Sequence, residues 1–132
     1  MTGISDYGGG NREFRVIPTD DRKHNPQKAV EGTYYGYTVG HWEGDTLVIE
    51  TTNYKPGPSA TNIGVMGSPE GNRFPVSDKM RTTERLTRLN DGFMLYEITT
   101  EDPVVATRPW TARFPLKLNP SYRWWEYACH EG

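Results

Sequence analysis

Apolar and polar positions alternate with a period of two through much of the chain, the signature of β-strands with one buried face. The clearest run is Thr38-Val-Gly-His-Trp-Glu-Gly-Asp-Thr-Leu-Val-Ile-Glu-Thr-Thr52. It predicts two strands, Tyr34 to Trp42 and Thr46 to Tyr54, folded back on a Glu43-Gly44-Asp45 loop. A three-residue loop sets Trp42 opposite Thr46, His41 opposite Leu47, Val39 opposite Ile49 and Tyr37 opposite Thr51. One face then carries Tyr37, Val39, His41, Leu47 and Ile49 and is the expected core face, with His41 at its turn end.

A second hairpin is predicted over Arg81 to Leu89 and Phe93 to Glu101, closed by Asn90-Asp91-Gly92. A three-residue loop with Gly92 left-handed sets Arg85 opposite Glu97, an ion pair, and Leu86 opposite Tyr96. A two-residue loop on Asn90-Asp91 opposes Glu84 and Glu97 instead. The glycine favours the ion pair.

Three more strands complete the pattern: Glu13 to Pro18, Thr107 to Leu118, and Tyr122 to His130. Pro109 and Pro115 place Thr107 to Leu118 at a sheet edge or on a bulge. In the last segment Trp124, Glu126, Ala128 and His130 share one face. Residues 1–11, with Gly8-Gly9-Gly10, are expected to be a mobile lead-in, and 12–132 a single β domain. The region 55–79, rich in Gly, Pro, Ser and Asn, is expected to be a partly ordered flap.

No segment has the period of a long amphipathic helix. The expected fold is all-β, an antiparallel meander forming a curved sheet or a small lipocalin- or calycin-like barrel, with a sandwich as the alternative.

Composition narrows the function classes. With 14 Gly and 10 Pro in 132 residues, turns and short strands are favoured over helices. Net charge is −2 without a basic run, which argues against nucleic acid as a partner. No apolar stretch approaches a membrane span, and Met1-Thr2-Gly3 does not begin a secretory leader. The one cysteine, Cys129, excludes an intrachain disulfide and is expected to be a small core residue.

His24, His41 and His130 invite a zinc hypothesis, since three imidazoles with an open position make a hydrolytic site. Their spacing is unlike compact ligand motifs, so no metal and no organic cofactor is expected. Glu126 and His130 stand roughly 13 Å apart along a strand and form no direct dyad. Acid–base chemistry in a sheet hollow remains, because Glu50, Glu84, Glu97 and Glu126 occupy strand positions where Thr or Val would serve.

Gly40-His-Trp-Glu-Gly-Asp-Thr-Leu-Val-Ile-Glu-Thr-Thr-Asn-Tyr54 resembles the G-H-W-E-G-D-T-L-V-V-[DE]-T-T-N-F core of a family of uncharacterised bacterial proteins. Arg15-Val-Ile-Pro-Thr-Asp-Asp-Arg-Lys-His24 is similar to its R-x-I-P-L-D-G-R-P-H segment. Glu97 to Trp110 resembles E-x-T-x-x-D-P-x-x-[YW]-T-x-P-W, and Glu126-Tyr-Ala-Cys-His-Glu-Gly132 its E-Y-A-C-H-E-G-N-Y ending. Asp21 departs from the family's glycine, and Gly36-Tyr37-Thr38-Val39 from its G-D-S-R-like run. The resemblance implies an exported, periplasmic setting and names no activity.

Two functions follow as expectations. The first is a small-molecule enzyme using general acid–base chemistry (isomerisation, elimination or hydrolysis), with His41 as base, Glu97 or Glu126 as acid or orienting group, and Arg113 stabilising an anion. The second is a non-catalytic binding module whose Trp42, Tyr96, Trp110 and Trp124 line a cavity for an apolar or sugar-like ligand. The proline-bearing strand offers a surface for a homo-oligomer.

Overall fold

The computed structural model describes residues 2–5, 14–25, 32–33, 35–58 and 75–123. Its body is an open five-stranded sheet, all neighbours antiparallel, built from β3 (Tyr37–Glu43), β4 (Thr46–Thr52), β7 (Arg81–Asn90), β8 (Phe93–Glu101) and β9 (Trp110–Lys117) in that spatial order. The expected meander is present, and the described strands leave the sheet open rather than closed into a barrel. Among the described residues no helix is long and apolar enough to cross a membrane.

Two short pairings flank the main sheet. Within the expected lead-in, β1 (Thr2–Ser5) pairs antiparallel with β2 (Phe14–Ile17). Where the flap was expected, β5 (Gly57–Pro58) pairs with β6 (Pro75–Val76) and brings the ends of the long segment together. Residues 59–74 lie outside the described residues. So does the segment from 124 onward, which carries the predicted strand with Trp124, Glu126, Cys129 and His130.

The β3–β4 register corrects the sequence expectation. The loop has two residues, Gly44 and Asp45, so Glu43 pairs with Thr46, Trp42 with Leu47, His41 with Val48 and Gly40 with Ile49. Gly44 takes φ +58° at the first central position while Asp45 does not go positive, the glycine-first pattern of a type II′ hairpin turn. Every pairing across the hairpin is therefore one residue off the three-residue prediction. His41 consequently faces away from Leu47 and Ile49.

The β7–β8 register is the expected one: Arg85 pairs with Glu97 and Leu86 with Tyr96. The turn reaches it differently. Asn90 pairs with Phe93 across Asp91-Gly92, and Leu89 is extruded between the paired Arg88 and Asn90. Gly92 is not left-handed. Its N–H donates to Asn90 Oδ1 at 2.9 Å, so a side-chain cap does the work expected of the glycine backbone.

The core is small and centred on β4, an interior strand flanked by β3 and β7. Leu47, Val48, Ile49 and Thr51 are all buried, and the first three are successive, so both faces of this strand are covered. Ile17 packs on Leu47 and Ile49 with Leu86 beside them. It can do so because Gly40 lacks a side chain: a Cβ there would lie 2.8 Å from Ile17 Cγ2. Gly40 N donates to Pro18 O at 2.8 Å, tying the end of β2 to the outer edge of β3.

Hydroxyl pairs stitch the strands where apolar contact is thin. Thr38 bonds Thr51 at 3.0 Å, Thr46 bonds Thr87 at 2.8 Å, and Tyr54 bonds Thr82 at 2.8 Å. Cross-strand pairs of this kind contribute about 0.2–1 kcal/mol each.

Candidate functional site

Directly paired residues share a face, so the registers divide the candidate chemistry into two sets. The pairings His41–Val48, Val48–Arg85, Arg85–Glu97 and Glu97–Arg113 run as one row across all five strands. His41, Arg85, Glu97 and Arg113 therefore occupy one face. The pairings Trp42–Leu47, Leu47–Leu86, Leu86–Tyr96 and Tyr96–Phe114 run as the adjacent row. Trp42, Tyr96 and Phe114 stand on the other face, and Trp110 joins them through its pairing with Thr100.

On the charged face the ionisable groups engage one another. Glu43 accepts from Arg85 Nη2 at 2.7 Å and approaches His41 Nε2 at 3.2 Å. Hydrogen bonds from Arg85, then from His41, hold the Glu43 carboxyl below the usual carboxylate range. Arg113 Nε lies 3.2 Å from Glu97 Oε1. Glu43 and Arg113 are exposed, where solvent screening leaves such pairs little net effect on stability. The sequence-predicted acid–base residues His41, Glu97 and Arg113 thus share a face and a row, and Glu126 lies outside the described residues.

The aromatic face carries a cleft of about 1100 Å³. Trp42, Leu86, Met94, Leu116 and Leu118 form its apolar walls, and the Gly44-Asp45 and Asp91-Gly92 turns close one end. The walls are open to solvent: Trp42 is 58% exposed and Leu118 62%. Leu118 is held over the cleft because its N–H donates to Gly92 O at 2.8 Å. Farther along the same face Tyr96 leans on Phe114 with ring centroids 5.1 Å apart. The Tyr96 hydroxyl donates to Glu84 Oε2 at 2.8 Å, giving that 4% exposed carboxylate a partner within an otherwise apolar row. Of the predicted ligand-binding set, Trp42 lines the cleft, Tyr96 and Trp110 share its face, and Trp124 lies outside the described residues.

A second cleft, about 800 Å³ and lined by several charged side chains, sits at the opposite end of the strands. His24, Glu50, Arg81, Glu101 and Arg108 contribute to it. Its outer loop is organised by Asp102, which accepts from Ser77 N at 2.8 Å, Ser77 Oγ at 2.6 Å and Val104 N at 3.1 Å. Burial pushes this carboxyl up, but the bonds from Ser77, Val104 and Val105 outweigh it and hold Asp102 below its ordinary value. Asp102 thereby clamps the loop after β8 to the approach to β7.

Among the described residues no three His, Cys, Asp or Glu side chains converge to hold a metal ion. His24 and His41 belong to separate clusters, and His130 lies outside the described residues. Sequence reasoning did not single out Leu86, Met94, Leu116 and Leu118 as a cleft. Their two-residue phase was visible, but the β8–β9 register that sets Leu116 opposite Met94 was not.

No family's sequence model, no curated protein and no solved structure matches the chain.

Proposed function

We propose that the protein is a non-catalytic binding module that takes an apolar small molecule in the cleft on its aromatic face. The observation that carries this reading is the exposure of Trp42, Met94, Leu116 and Leu118 around one concavity. A monomeric protein rarely leaves such side chains uncovered together unless something binds there, and a cleft of this size suits a drug- or lipid-sized molecule. Burying one exposed ring or leucine against a ligand is worth about 1.5–3 kcal/mol.

The acid–base alternative needs a histidine and a carboxylate opening into one cavity. His41 lines neither of the two clefts and is engaged with Glu43. His24 does line the polar cleft, yet its Nε2 is sealed from solvent. The binding reading rests on fewer rearrangements. Closure of the sheet into a lipocalin-like barrel, and membership of the bacterial family its motifs resemble, belong to the same proposal. Closure requires a further strand beside β9, the last strand of the sheet among the described residues.

The test is a fluorescence titration with 1-anilinonaphthalene-8-sulfonate, followed by displacement with long-chain alcohols. Saturable binding at one site is expected, weakened about 10-fold or more by Trp42→Ala and by Leu118→Asp. Both side chains are exposed, so folding, checked by circular dichroism, is expected to survive. Unsaturable binding, or variants that bind as the parent does, would overturn the proposal.

A further inference from the structure

We propose that His24 is a pH-sensitive clasp: neutral, it holds residues 20–25 against the β3–β4 hairpin, and on protonation it releases them. Its Nδ1 meets Thr52 Oγ1 on β4 at 3.1 Å. Its ring stands edge-on to Tyr37 on β3, with centroids 5.7 Å apart at 73°. Arg22, two residues earlier, also bonds Tyr37 while pairing with Asp20. Both residues therefore dock the segment, and of the two His24 is the one that titrates near neutrality.

The decisive atom is Nε2, which is buried and has no hydrogen-bond partner among the described residues. A neutral imidazole tolerates this with its proton on Nδ1, donated to Thr52, which leaves only a lone pair at Nε2. An imidazolium carries an N–H on both nitrogens, so protonation leaves a charged donor sealed from water without an acceptor. Turning the ring out relieves this, and it breaks the Thr52 bond and the Tyr37 contact together.

Groups packed around the ring act in both directions. Burial opposes the charged form most, Glu50 on β4 favours it, and Arg81 on β7 opposes it, leaving the His24 value lowered from 6.5. Tyr37 faces the ring from β3. Glu101 and Arg108, of opposite sign, line the same cleft farther out, and Asp21 and Lys23 flank His24 in its own segment. Because the folded value lies below 6.5, the clasp is fully engaged above that pH and is lost as pH falls through the lower value. Release uncovers one wall of the polar cleft, so the device couples acidity to access at that site.

The experiment is an NMR titration of the whole chain, following histidine ring and backbone amide signals between about pH 8 and about pH 4. The His24 midpoint is expected below 6.5. The amides of Arg22 to Asn25, Tyr37 and Thr52 are expected to move with that midpoint, with roughly 10-fold or greater loss of exchange protection, corrected for the intrinsic rate. His24→Asn keeps an amide N–H that can bond Thr52 and cannot titrate, so the step vanishes while the segment stays docked. If that variant is undocked at every pH, Thr52→Val decides, since removing the Nδ1 partner should bring the His24 midpoint back towards 6.5. The clasp is overturned by a His24 midpoint at or above 6.5, by amides indifferent to it, by a step that persists in His24→Asn, or by an unmoved midpoint in Thr52→Val.

Discussion

Replacing Gly36 by alanine is expected to destabilise the protein by about 3 kcal/mol and to lower its thermal midpoint by roughly 10 °C. Two costs act at this position. Gly36 has φ +69°, where a Cβ costs about 1–2 kcal/mol. That Cβ would also sit 2.6 Å from the Thr52 carbonyl oxygen and 2.6 Å from Thr51 Cγ2. A backbone oxygen inside a ladder cannot step aside as a flexible side-chain tip would, and Thr51 is fully buried. Overpacking of this sort costs about 1–3 kcal/mol.

The surroundings of Gly36 transmit the damage. Its N–H donates to Thr33 O, Thr33 Oγ1 donates to Gly36 O, and Thr33 also bonds Asn53 and Lys55 beyond the end of β4. Asn53 itself has φ +60°. The base of the β3–β4 hairpin is thus a small knot of backbone bonds that shifts as a unit. Gly44→Ala separates the two costs, because Gly44 has φ +58° but nothing lies within 4 Å of its would-be Cβ. Chemical denaturation should give Gly44→Ala about 1–2 kcal/mol and Gly36→Ala clearly more. Equal losses would mean that crowding against Thr52 is not felt.

These positions show what the sequence could and could not carry. Alternation placed β3, β4, β7, β8 and β9 correctly, because period-two burial depends on local order alone. Pro109 and Pro115 marked Thr107 to Leu118 as an edge or bulged strand, since a residue without an N–H cannot complete a ladder on both sides, and β9 is the last strand of the sheet among the described residues. The β7–β8 register came out as expected although its grounds did not: Gly92 is not left-handed, and in place of the expected ion pair Arg85 bonds Glu43 while Glu97 meets Arg113. The β3–β4 register was missed for a definite reason. Glu43 was counted as loop, whereas its carboxylate is held by Arg85, a residue 42 positions away, and so the strand extends one residue farther. A single added pair moved every partner across the hairpin by one. It put His41 opposite Val48 and Trp42 opposite Leu47, and so moved His41 to the face away from Leu47, Leu86 and Tyr96. The clamp at Asp102 and the sealed nitrogen of His24 depend on contacts across 25 and 28 positions, which no local pattern encodes.

Asp102→Ala is expected to cost about 3 kcal/mol or more, since it strands three donors that now bond a charged acceptor. The carboxylate joins Ser77, just ahead of β7, to Val104, just after β8, and Ser77 Oγ in turn accepts from Lys79 N at 3.0 Å. Loss of Asp102 should therefore loosen both approaches to the longest pair of strands and the outer wall of the polar cleft at once. Asp102→Asn retains an acceptor but turns an amide N–H₂ towards donors, so an intermediate loss of about 1–2 kcal/mol is expected. Acid supplies an independent check. The Asp102 value is lowered from 3.8 in the folded protein, so its contribution is complete above that pH and disappears as pH falls through the lower folded value. Stability measured against pH by urea denaturation should fall less steeply in Asp102→Asn than in the parent across that acid window. An unchanged slope would mean that the carboxylate is not what holds Ser77 and Val104 together.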